Sequence, residues 1–219
     1  QSRFFQPPAN DVHGSESDES FANRLLKNTE VLESTGIPEL DKFLEAESHN
    51  LSRAFGVNVD LLIIDDSTPN AFAINRSYSG NSHGSVLIGK KLAQQQIMAG
   101  RSGLYSLIGI MAHEWAHIVQ YNFGLKQSVK ERELHADYLA GWYLAQKSQM
   151  GSMIDYQTFA STLYSRGDYS FSDDMHHGTP AERVNAMLAG VKDVMNSHTL
   201  VINTAFQTGF SRVRSGYLS

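Results

Sequence analysis

The most apolar run of the chain, residues 104 to 121, is interrupted by His113, Glu114 and His117, which sit among Ile110, Met111, Trp115 and Ile118. These interruptions rule out a membrane span, which needs about 20 predominantly apolar residues. They leave two readings, histidines packed into a core or imidazoles holding a metal. On a helix, residues four apart lie about 40° apart around the axis, so His113 and His117 project side by side. Glu114 is offset by roughly 100° from His113 and about 60° from His117, where it borders such a metal without being a ligand. The chain has no cysteine, so any metal must be held by His, Asp and Glu.

Two histidines do not complete a catalytic zinc site, which usually takes three protein ligands. The helix expected over residues 103 to 122 ends at Gly124, a plausible left-handed cap, and Ser128 with Glu131 reads as a capping box opening the next helix, 129 to 148. The two predict a tight antiparallel hairpin. His117 lies seven residues before Gly124 and Glu133 nine after it, so both stand at a similar height. Glu133 is therefore the expected third ligand, with Glu131 as a competitor already occupied by capping. Asp137, one turn beyond Glu133, is placed to accept a hydrogen bond from the far ring nitrogen of a ligand histidine. His135 points elsewhere and reads as a surface or packing residue.

The rest of the chain supplies a scaffold. With 219 residues, 41% of them hydrophobic, there is enough for one domain with a sizeable core. Residues 1 to 20 read as a flexible polar arm and residues 21 to 219 as the single domain. Residues 21 to 34 fit a short helix, and Pro38 opens a better one ending near Gly56. Three strand-like segments follow, "VNVDLLIID", "NAFAIN" and "GSVLIG". Helices are expected over "KLAQQQIMAG", 103 to 122, 129 to 148, 155 to 165 and 180 to 196. The expected class is α+β, a small mostly antiparallel sheet on a helical half. The stretch 199 to 219 shows no clear period.

A net charge of −5 argues against nucleic acid and acidic membranes as partners. The chain starts in a polar stretch without an initiating Met, which proves nothing about a removed signal peptide; the expectation is a periplasmic or secreted protein, taken as a monomer.

"HEWAH" followed by "ELHAD" resembles the gluzincin zinc peptidases, and "NAFAIN…GSVLIGKKL" with "HHGTPAERVNAML" is similar to soluble relatives of the CAAX-prenyl-protease and heat-shock membrane-protease family. These segments span residues 70 to 190, and the 15 residues between His117 and Glu133 resemble the spacer of minimal soluble gluzincins. The resemblance implies a metalloendopeptidase acting on a protein or peptide substrate. One zinc ion on His113, His117 and Glu133 would activate a water, with Glu114 as general base.

A second donor to the oxyanion is expected from His177 or Arg183. His177 also reads as an exposed loop residue, and Arg183 as half of a structural ion pair with Asp137 or near Glu133. Thr179, Pro180 and Glu182 mark the helix start beside them. Gly84, Ser85 and Val86 of "GSVLIG" are the candidate substrate edge, although "VLI" equally suits an interior strand. The competing function is a non-catalytic zinc-binding or chaperone-like module, its metal closed by a fourth ligand such as His177.

Overall fold

A computed structural model describes residues 29–67, 69–124, 126–149, 178–197 and 201–216, with Phe4, Lys27, Tyr156 and Ala160. Among these the chain is α+β, with six helices and a mixed four-stranded sheet.

Strands β1 (Val31–Leu32), β2 (Val59–Ile64), β3 (Ala71–Ile74) and β4 (Gly84–Gly89) lie in the order β1-β2-β4-β3. Both outer pairings are antiparallel, whereas β2 and β4 run parallel with Val59 opposite Gly84 and Ile64 opposite Gly89. The sheet is therefore mixed, with two of its three pairings antiparallel and the central one parallel. The cause is the chain path: β3 goes to the far edge and β4 returns between it and β2. Val31 and Leu32 form a strand where a short helix was expected. Gly36, at φ 83°, follows shortly, and the open edge of β2 accepts the pair.

Helix α1 (Pro38–Phe55) begins with proline and ends at Gly56 in the left-handed conformation, φ 66°. It buries Leu40, Leu44, Leu51 and Phe55 in the main core, which Phe4 also enters at 5% exposure. Helix α2 (Lys90–Met98) is capped from a distance. The buried Asp66 carboxylate accepts from the amides of Lys91 (2.7 Å) and Leu92 (3.1 Å).

Helix α3 (Arg101–Phe123) is buried continuously from Ser106 to Gln120, so every face of it is covered, its polar His113, Glu114, His117 and Gln120 included, and it ends at Gly124, φ 64°. Helix α4 (Val129–Gln149) opens with the Glu131 amide donating to Ser128 Oγ at 3.1 Å. Helix α5 (Pro180–Ser197) opens with a reciprocal capping box, Glu182 amide to Thr179 Oγ1 (3.2 Å) and Thr179 amide to Glu182 Oε1 (3.1 Å).

Helix α6 (Ile202–Ser215) occupies the stretch that shows no period by eye, burying Ala205, Phe206, Gly209 and Val213 against the other helices. The expected helix 155 to 165 lies outside the described residues except for Tyr156 and Ala160, as does the arm except for Phe4. No helix among the described residues is long and apolar enough to cross a membrane.

Candidate metal centre

Helices α3 and α4 bring His113, His117 and Glu133 together as a buried group that could hold a metal ion. The two imidazoles meet edge to face, with centroids 4.6 Å apart, and both aim Nε2 at the same point. His113 Nε2 lies 3.0 Å from His117 Nε2 and 3.0 Å from Glu133 Oε2, and His117 Nε2 lies 3.4 Å from Glu133 Oε1. Donors placed tetrahedrally about 2.0–2.1 Å from zinc stand about 3.3 Å from one another. The two imidazole nitrogens and the Glu133 carboxylate, one oxygen toward each histidine, are close enough together to share one metal ion.

Behind each histidine stands a different partner. His113 Nδ1 is 2.9 Å from Asp137 Oδ1, and Asp137 accepts both Arg183 Nε (2.7 Å) and Arg183 Nη2 (3.0 Å). Arg183 Nη2 also reaches to 3.6 Å from Glu133 Oε2, tying α5 to both carboxylates. The geometry gives Arg183 the ion-pair place of its two expected roles.

Burial pulls His113 down, but the carboxylates of Asp137 and Glu133 outweigh it and raise the imidazole to about 10. Burial pushes Glu133 up, and the opposing pull of His117 and His113 holds it well below the usual carboxylate range. Asp137 is likewise lowered against its burial, first by Arg183 and then by His113. The same carboxylates that favour a positive charge on His113 would favour a cation held between these residues.

His117 has no carboxylate behind it. Its Nδ1 lies 2.8 Å from Gln120 Oε1, and Gln120 Nε2 donates to the Arg132 carbonyl at 2.9 Å and lies 3.2 Å from His135 Nδ1. His135 Nε2 in turn donates to the Phe206 carbonyl of α6 at 2.9 Å. His135 is fully buried, not a surface residue, and burial holds it down to about 4 despite the Phe206 contact. Of the two readings of His135 the packing one holds, whereas Gln120 escaped the sequence reading. The available signal was spacing, since Gln120 is one turn beyond His117 on the same helix.

Glu114 is buried at 5% exposure, next to His113 in the chain. Glu131 is at the start of α4, its carboxylate accepting the Ser128 hydroxyl at 3.1 Å, and is not one of the grouped donors. His177 lies outside the described residues.

Gly84, Ser85 and Val86 do not form an open edge, a correction that follows from the strand order. Ser85 pairs with Asp60 on one side and Ile74 on the other, and Val86 with Leu61 and Ala73. All six residues of β4 are buried, so the apolar "VLI" run marks an interior strand. The outer strand on that side is β3, and Tyr121 of α3 donates to its Ala73 carbonyl at 3.3 Å. Comparison with protein-family models, curated proteins and solved structures finds no match to this chain.

Proposed function

We propose that this chain is a zinc-dependent metalloendopeptidase of the gluzincin kind. One observation carries the reading: His113, His117 and Glu133 present two imidazole nitrogens and a carboxylate to one point, with Glu114 buried beside them. Three such donors are the set of a catalytic zinc site, which keeps a further coordination position for water or substrate. When bound there, zinc supplies Lewis acidity to a water and to a substrate carbonyl.

The protein's own groups do the rest. Glu114 takes the proton released as water attacks the peptide carbonyl and hands it to the departing amine. Asp137 accepts from Nδ1–H of His113, which keeps the Nε2 lone pair facing the metal-binding group. Arg183 holds Asp137 in place and ionised. An extended peptide would pair with β3, the outer strand beside α3, through backbone hydrogen bonds.

The test is Glu114→Gln. The variant is expected to retain one bound zinc per chain and to lose cleavage of an unfolded protein such as casein, by a factor of about 10² or more. Undiminished cleavage would overturn the mechanism.

A further inference from the structure

We infer that Gln120 is the positioning residue of the metal centre: its amide, locked by α4 and α6, keeps the proton of His117 on Nδ1 and leaves Nε2 to face a metal. The inference rests on the metal reading above and names the device that orients the second histidine.

Donor and acceptor logic carries it, starting from groups whose roles are not adjustable. A backbone carbonyl only accepts, so the Arg132 carbonyl, 2.9 Å from Gln120 Nε2, must receive an N–H there. The Phe206 carbonyl likewise requires the proton of His135 to be on Nε2. With that hydrogen on Nε2, Nδ1 is the acceptor of the ring, and it faces Gln120 Nε2 at 3.2 Å and Gln127 Nε2 at 3.3 Å. Both constraints turn the amide the same way, so Oε1 is the end that meets His117 Nδ1 at 2.8 Å. An amide oxygen cannot donate, so Nδ1 carries the hydrogen and Nε2 keeps its lone pair.

The chain Phe206, His135, Gln120, His117 thus runs from the C-terminal helix to the metal-binding group through hydrogen bonds that include no carboxylate. The two imidazoles are oriented by unlike means. His113 is backed by an anion, and His117 by a neutral amide whose only freedom, a flip, would set an N–H against a lone N–H and a carbonyl against two acceptors.

Two measurements test this. In the zinc-loaded wild-type chain, proton–nitrogen spectra of the histidine rings should show the His117 hydrogen on Nδ1; a hydrogen on Nε2 would overturn the inference. Zinc affinity, read by competition with a chromogenic chelator, should fall about 10- to 100-fold in Gln120→Leu and stay within about threefold of wild type in Gln120→Glu, which keeps an acceptor oxygen. A purely packing role predicts the reverse order, because Leu suits a buried site and a carboxylate does not. Equal affinity in Gln120→Leu, or Gln120→Leu binding more tightly than Gln120→Glu, sinks the inference while leaving the metal reading intact. A wild-type chain that binds no zinc sinks both.

Discussion

Helices α4 and α5 cross with their backbones in contact, and two glycines permit it. A Cβ on Gly141 would stand 2.8 Å from the Met187 carbonyl carbon, and one on Gly190 would stand 2.9 Å from the Trp142 amide nitrogen. Each would come closer still to the carbonyl oxygen of the facing helix, Met187 or Tyr138. Gly141 lies one turn beyond Asp137 and Met187 one turn beyond Arg183, so the crossing sets the reach over which Arg183 grips Asp137.

The perturbation is Gly141→Ala. Alanine favours an exposed helix interior by about 1 kcal/mol. Against that, the obstructing atoms are backbone and cannot swing aside, so the helices must part by about 1 Å in a close-packed interior. Overpacking typically costs about 1–3 kcal/mol, here toward the upper end, and stretching the Arg183–Asp137 pair adds to it. The net expectation is a loss of about 2 kcal/mol, or a fall in Tm of about 4–8 °C for a chain of this size. Circular dichroism melts and urea unfolding of chelator-treated protein measure it, with Gly190→Ala as a parallel variant. A Tm unchanged or raised in both would refute the argument, because propensity alone would then govern these positions.

Two further perturbations follow from the same packing. Arg183→Met leaves Asp137, fully buried, with only part of its partners, and breaking such a pair costs about 3–5 kcal/mol in urea unfolding. A loss below about 1 kcal/mol would show that the pair is dispensable. Tyr143 is buried with its hydroxyl on the Glu47 carboxylate, and burial followed by that charge pushes the phenol above its ordinary value. Because the folded value lies above the unfolded one near 10, the phenol's contribution is whole below about pH 10 and is lost as pH rises beyond it. Stability should fall there by up to about 1.4 kcal/mol per pH unit for this group, and Tyr143→Phe should flatten that slope in urea titrations; an unchanged slope would contradict the burial argument.

How far the sequence could be read depended on whether a residue's place follows from its own helix. Counting from Gly124 sets His117 and Glu133 at one height, and in the structure their side chains approach to 3.4 Å. Asp137 follows from Glu133 by one turn, which puts it behind His113. The strand order did not follow in the same way. "GSVLIG" has a composition that suits an edge or an interior, and only the parallel return of β4 beside β2 decides between them. Helix α6 was readable in principle, since Ile202, Ala205, Phe206, Gly209 and Val213 recur at helical spacing. The "LVI" run and Gly209 mask that stripe. Gly209 is small because the Tyr138 ring would lie within 3.0 Å of any Cβ there, a tertiary reason that no local pattern displays.

The same distinction explains why one histidine's support was visible and the other's was not. An aspartate one turn beyond a glutamate announces itself by charge in an apolar helix, and burying it demands a partner such as Arg183. Gln120 carries no charge, and its role is set only once three other groups are in place. Arg132 lies in the first turn of α4, so its carbonyl has to accept the Gln120 amide on a second lone pair beside the helix ladder. His135 has to be buried, and α6 has to deliver the Phe206 carbonyl from 71 positions further along the chain. It follows that disrupting α6 should weaken metal binding at a distance: Gly209→Leu, which drives a side chain into the Tyr138 ring, should lower zinc affinity through His135 and Gln120 while α3 and α4 stay helical. Competition with a chromogenic chelator alongside circular dichroism measures both, with a fall of several-fold expected. Unchanged affinity with α6 displaced would show that His117 holds its orientation without help from the C-terminal helix.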